Sequence, residues 1–224
     1  MKPCSLYRRL ELVETNLSAW RALKAFHYRP GSPGAVSKVF ALRLRKDIQR
    51  GGALLCEAQK SARTKQAPLC CAVGWHPVYV GVIVYVMPTL NSRMRDRVTG
   101  GRYHTANNPA VIERLNRDFR RIARVVIHPA WRGIGLGRLL VRETLDKAGT
   151  SYVEASAAMG AVHPFFEQAG MTRHDPPAEE AYRSRYFSVR PIYYLWQRKG
   201  GRMKDEGGRM TGDKDIRDRG RHKA

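Results

Sequence analysis

A chain of 224 residues with 43% hydrophobic side chains is long enough to bury one core of ordinary size and too apolar for wholesale disorder. Its 41 Lys and Arg against 19 Asp and Glu leave a net charge of +22, which draws polyanions to the surface and makes nucleic acid, or a phosphate-bearing small molecule, the expected partner. The best apolar run, Val78 to Met87, is too short to span a bilayer, and the first residues lack an apolar signal region, so no membrane partner and a cytoplasmic location are expected.

Tyr7 to Glu14 alternates weakly and predicts a first strand. Thr15 or Asn16 then caps a helix from Leu17 to about His27, with Leu17, Trp20, Leu23 and Phe26 on its apolar face. Pro30, Gly31, Pro33 and Gly34 stop that helix, and Ala35 to Leu44 reads as a strand. A polar excursion from Arg45 to about Gly74 holds at most a short helix around Ala53–Ser61. The β-branched run Val78 to Met87 predicts the strongest strand of the chain. Pro88 to Pro109 reads as a loop, Ala110 to Phe119 as a helix and Arg121 to Ile127 as a strand closed by Pro129. Arg138 to Ala148 predicts an amphipathic helix with Leu139, Leu140, Val141 and Leu145 on one side. Tyr152 to Ser156 reads as a strand, Val162 to Ala169 as a short helix with Gly170 as C-cap, and Tyr186 to Trp196 as the last strand. Residues 1–197 thus form one domain, and 198–224, almost devoid of apolar side chains, read as a disordered basic tail.

The four cysteines form no C-x-x-C pair, and the neighbours Cys70 and Cys71 point to opposite faces of an extended strand, so no metal is expected. The chemistry concentrates in Arg132-Gly133-Ile134-Gly135-Leu136-Gly137-Arg138, between a strand and a helix. Glycines there let a ligand approach the backbone, and the free N–H groups of a helix start suit a phosphate or pyrophosphate. No Gly-Lys-Ser/Thr follows, so it is not a Walker loop.

Arg132, Gly135 and Gly137 after the strand Ile122 to Ile127 resemble motif A of the GNAT acetyltransferases. The stretch Ala161 to Met171, with His163-Pro164-Phe165-Phe166-Glu167 in it, resembles motif B of the same family. The resemblance implies an α/β GNAT fold, a mixed central sheet flanked by helices and splayed at an acyl-CoA cleft between Val125–Ile127 and Tyr152–Ser156. It implies acetyl-CoA as co-substrate, its pantetheine on the backbone of Val125 and Ile127 and its pyrophosphate on the amides of Arg132, Gly133, Ile134, Gly135, Leu136, Gly137 and Arg138. A backbone N–H at Val125 or Val126 would stabilise the developing oxyanion while an acceptor amine attacks directly. GNAT relatives are often dimers, so a homodimer is a further expectation.

The chain departs from the pattern at the general acid. Phe166 stands where motif B often has tyrosine, which leaves His163, Tyr152 or water for that role. Glu154 is a candidate base or, alternatively, one half of a structural ion pair. His27 and Tyr28 at the end of the first helix, with Arg124 in the motif A strand, are similar to residues of the phage Mom-type DNA-modification proteins, and the chain is also similar to GNAT-like domains attached to ABC-type ATPases. In those terms the acceptor is an amine on a nucleic-acid base. The alternatives are a small-molecule or protein amine, or a catalytically degenerate module that only binds nucleic acid or acyl-CoA.

Overall fold

The structure, a computed structural model, describes residues 5–28, 31–45, 79–105, 108–177 and 191–199. Ser5–Arg9 forms a 3₁₀ turn that leads into β1 (Leu10–Thr15). Asn16 then caps α1 (Leu17–Leu23), its side chain accepting from the Ser18 amide at 2.8 Å. A second 3₁₀ turn, Lys24–Phe26, ends this segment before His27. There follow β2 (Val36–Leu44), β3 (Tyr79–Val86), α2 (Arg93–Val98), α3 (Pro109–Asp118) and β4 (Phe119–Ile127). The chain continues through α4 (Leu136–Thr144), β5 (Tyr152–Ala157), α5 (Phe165–Gln168), β6 (Thr172–His174) and β7 (Ile192–Gln197). The described strands make one sheet of seven in the order β1-β2-β3-β4-β5-β7-β6, antiparallel except for β4 beside β5.

Each face of the sheet carries its own core. α4 and α5 lay Leu136, Leu140, Val141 and Phe166 on Phe40, Leu42, Ile83, Ile122 and Val153. On the other face, Ala19, Trp20 and Leu23 of α1 cover Val39, Ala41, Val82, Val84 and Val126. A smaller cluster packs Leu115 of α3 and Tyr103 on Phe119 and Tyr152. Together these remove most of the large apolar side chains of the described chain from water, which is the main favourable contribution to folding.

The helix Arg93–Val98 lies within a stretch whose polarity predicts a loop. It has no apolar stripe and is held instead by the Ser92 cap, whose hydroxyl accepts from the Arg95 amide at 3.3 Å, and by the Arg95 side chain, which is 0% exposed. α4 begins two residues earlier than its periodicity suggests, because Gly135 caps it in a left-handed conformation with φ +83°. The helix expected from Val162 is confined to Phe165–Gln168, since Val162 and His163 both turn their amides back to the Met159 carbonyl. β6 shows no alternation and exists through its pairing with β7, Thr172 opposite Leu195. The expected helix at Ala53–Ser61, the tail and the first part of the last strand lie outside the described residues.

Arg95 locks the paired half of the sheet. Its Nη1 lies 3.3 Å from Glu154 Oε1, its Nη2 donates to the carbonyls of Thr89 and Leu90, and its guanidinium stands 5.7 Å from the Phe119 ring centroid. Tyr193 donates its hydroxyl to the other Glu154 oxygen at 2.8 Å. Removing one partner of such a pair strands a buried charge, so Arg95→Met lowers the unfolding free energy by about 3–5 kcal/mol in urea titration. Arg95→Met with Glu154→Leu recovers part of that loss, because the carboxylate no longer lies buried alone.

Candidate active site

A single extra residue in β4 shapes the site. Val84 pairs with Arg124 but the next residue, Tyr85, pairs with Ile122, so Ala123 is bulged out of the ladder. Ahead of the bulge, β4 pairs in parallel with β5 from Phe119 opposite Tyr152 to Ile122 opposite Ala155. Beyond it β4 stays on β3 as far as Ile127 and β5 stays on β7 as far as Ala157, yet the two no longer pair with each other. The sheet therefore opens between Ala123–Ile127 and Ser156–Ala157.

The pleat decides which groups face that opening. His128 donates its amide to the Val80 carbonyl at 2.9 Å, so Val126, two residues back, also turns its backbone to β3. Val125 and Ile127 turn theirs to the gap. This corrects one expectation: Val126 is 3% exposed, packs against α1 and is not placed to meet an acyl group.

After β4, Pro129–Trp131 makes a 3₁₀ turn and the glycine loop follows. Gly133 and Gly135 have φ of +82° and +83°, values that side chains with a Cβ rarely adopt. A Cβ at Gly133 would meet nothing within 4 Å, so the loop is open outward. One at Gly137 would lie 3.9 Å from Phe165 and 4.0 Å from Ile127, filling the space between the gap and α5. An open row of amides at the start of a nine-residue helix, beside a strand edge where the Val125 backbone and the Ile127 amide face the gap, fits the pyrophosphate and amide-bearing arm of acetyl-CoA.

Arg132 corrects a second expectation. Its amide donates to Pro129 at 3.2 Å, and its guanidinium donates to the carbonyls of Ile127 and Phe26, each at 3.0 Å. It builds the loop and ties it to the turn before His27, leaving Gly133 to Arg138 to present amides. His128 supports the same corner, with Nδ1 accepting from the Ala130 amide at 3.3 Å and its ring edge-on to Phe26 at 4.9 Å. Burial, and then the Arg132 charge, push the His128 pKa down.

His27, Tyr28 and Arg124 meet around Trp20. His27 is edge-on to Trp20 at 5.7 Å, Tyr28 stacks on His27 at 4.6 Å, and the Arg124 guanidinium stands 5.7 Å from the Trp20 ring. Arg124 is 7% exposed and donates to the carbonyls of Ala123 and Ser32, so it fixes the bulge and the loop beyond Tyr28, whereas Tyr28 is 62% exposed. His163 stands elsewhere, exposed ahead of α5 on the opposite side of the sheet. Glu154 is the structural ion-pair residue: burial pushes its carboxyl up, the Arg95 charge and the Tyr193 hydroxyl pull it back, and it does not reach the gap as a base. Tyr152 is 3% exposed and stacked on Phe119 at 4.8 Å, which removes it as an acid. Among the described residues no group of three His, Cys, Asp or Glu could hold a metal ion, and no helix is long and apolar enough to cross a membrane.

A sheet opened beside a bulge, with a glycine loop at the gap, defines an acyl-CoA-dependent transferase of the N-acyl class. Residues 92–184 match the family model described as the acetyltransferase (GNAT) domain, so this stretch carries a GNAT acetyltransferase domain, the kind that uses acetyl-CoA. Among solved structures, the F149G mutant of the spermidine N-acetyltransferase SpeG from Vibrio cholerae aligns at 10% identity and a TM-score of 0.46, over 85% of this chain and 94% of that one. A GNAT-family protein from Desulfovibrio desulfuricans aligns at 11% and 0.44, over 84% and 98%, and the NatC complex bound to Gag peptide and CoA at 12% and 0.43, over 84% and 96%. A search of the curated proteins finds no match. The comparisons carry the GNAT family and not the narrower Mom-type or ABC-ATPase-attached resemblance.

Phe166, aligned with the tyrosine of motif B, is 5% exposed and packed on Phe165 at 4.3 Å and Tyr194 at 5.1 Å. Phe165, not Phe166, borders the groove at Gly137. A hydroxyl at position 166 is buried in an apolar cluster, so Phe166→Tyr lowers stability by about 1–3 kcal/mol without raising turnover. Thermal unfolding beside steady-state rates checks this.

Proposed function

We propose that the chain transfers the acetyl group of acetyl-CoA to an amine that enters the gap from the α1 side, where His27 and Tyr28 stand. The observation that carries this reading is the parting of β4 from β5 after Ile122 beside the left-handed glycines of the loop. The amides of Gly133 to Arg138 hold the pyrophosphate, and Val125 and Ile127 hold the pantetheine arm. Acetyl-CoA, when bound, supplies the activated thioester carbonyl. The Val125 N–H donates to that oxygen as it gains charge. His27 takes the proton of the attacking amine, and water returns one to the leaving thiolate.

The acceptor we favour is an amine on a nucleic-acid base. The exposed Tyr28 ring, stacked at 24° on His27 and backed by Trp20 and Arg124, offers a planar platform beside the gap. A net charge of +22 favours a polyanionic acceptor and repels a polyamine, so the spermidine of the Vibrio cholerae enzymes does not transfer by analogy.

Calorimetric titration with acetyl-CoA, alone and with short duplex DNA or RNA, tests both parts. Binding of acetyl-CoA establishes the cleft, and acetylation of one polymer names the acceptor; binding without any turnover indicates a degenerate module. Gly135→Glu weakens acetyl-CoA by about 100-fold or more, because a carboxylate about 4 Å from a phosphate costs roughly 4 kcal/mol near a protein surface. Unchanged affinity in that variant removes the loop from the site.

A further inference from the structure

The 3₁₀ turn Ser5–Arg9 lies far from the motifs in sequence, yet its Tyr7 hydroxyl donates to the carbonyl of Ile134 at 3.1 Å. The same hydroxyl is 3.5 Å from where a Cβ of Gly135 would stand. Tyr7 is only partly buried and packs at the edge of the main core, so its ring has a place to rest while its hydroxyl reaches the loop.

We propose that Tyr7 is a positioning residue for the phosphate loop, holding the Ile134–Gly135 peptide so that its N–H faces the bound anion. This rests on the reading of that loop given above. In a trans peptide the C=O and N–H point in opposite directions, and among the described residues there is no cis bond. Fixing the Ile134 oxygen on Tyr7 therefore turns the Gly135 N–H to the other side of the peptide plane. Such a lock has work to do here in particular. Gly133 and Gly135 both have positive φ, and glycine permits the paired rotation that flips a peptide at little cost. The flipped form would aim a carbonyl oxygen at the pyrophosphate and remove one donor. The following peptide is anchored differently, because the Gly135 carbonyl already accepts from the Leu139 amide at 3.0 Å. The hydroxyl of Tyr7 acts on the peptide before it.

The test uses the full chain carrying Tyr7→Phe, which keeps the ring and deletes the donor. Calorimetric titration with CoA and with 3′-dephospho-CoA is expected to show both weakened by the same factor, about three- to tenfold. The melting temperature stays within a degree or two, and amide exchange at Gly135 quickens in the ligand-free protein. A CoA affinity within twofold of wild type overturns the proposal, as does a loss seen with CoA and not with dephospho-CoA, which would make Tyr7 a contact of the 3′-phosphate. A lower melting temperature with unchanged affinity reduces Tyr7 to an anchor for its own turn. Should the wild-type chain bind no CoA, the reading of the loop fails, and the Gly135 exchange rate still decides whether Tyr7 holds the peptide.

Discussion

One residue too many in β4 is the constraint from which the rest follows. Ala123 has no partner on β3, so the strand twists there, and twisting takes its outer edge away from β5. The bulge also shifts the pleat by one. Ala123 and Arg124 both turn to the α1 side, after which Val125 and Ile127 join the α4 side. Without it, β4 and β5 would stay paired to the end of β5, and the backbone groups that face each other there would be spent inside the sheet. A gap in a sheet is expensive unless its backbone groups find partners, so an opening held by the fold is one that expects a ligand with amides of its own.

An opening of this kind needs a firm hinge, and the chain supplies it at the closed end. Arg121 and Glu154 sit opposite each other just before the strands part, and the Glu154 carboxylate is gripped by Arg95 from α2 and by Tyr193 from β7. The same Arg95 holds the carbonyls of Thr89 and Leu90. Thus β5, β7 and the connection after β3 meet at one buried charge pair. A pair of apolar side chains would bury as comfortably, but without directional bonds to three separate segments it would fix their positions less narrowly.

What the sequence disclosed and what it hid divide along a physical line. The strands with β-branched runs, the Asn16 cap and the glycine loop are written locally, in a few consecutive residues, and the structure forms them close to where the pattern places them. The bulge is invisible to periodicity, because Ile122 to Ile127 is apolar on nearly every residue and so alternates with neither register. Arg95 is one of many arginines in a polar stretch, and its burial depends on Glu154, 59 positions away. Tyr7 reads as a strand residue, and only the fold brings it to Ile134. Phe166 and Phe165 are neighbours on a four-residue helix, where a shift of one position exchanges core for groove: Phe166, the ring that the motif aligns with tyrosine, is the buried one, and Phe165 lies beside Gly137. For Glu154 the sequence offered a base and an ion pair with equal right, and burial decided between them.

The two sides of the gap differ in what they can recognise, and this difference is the reason the chain's charge bears on its acceptor. On the α4 side, recognition is by backbone: amides of Gly133 to Arg138 carry no side-chain identity and suit an anion common to every acyl-CoA. On the α1 side the groups are side chains, with Tyr28 stacked on His27, His27 edge-on to Trp20, and the Arg124 guanidinium over the Trp20 ring. Arg132 spans the two, since one guanidinium bonds the end of β4 and the turn that delivers His27. The loop, the end of β4 and the turn before His27 are thereby tied together through two backbone carbonyls. For the acceptor proposed above, a stacked pair of rings in a field of positive charge suits a planar group on an anionic chain better than a flexible cation, because stacking supplies contact without requiring a matched carboxylate.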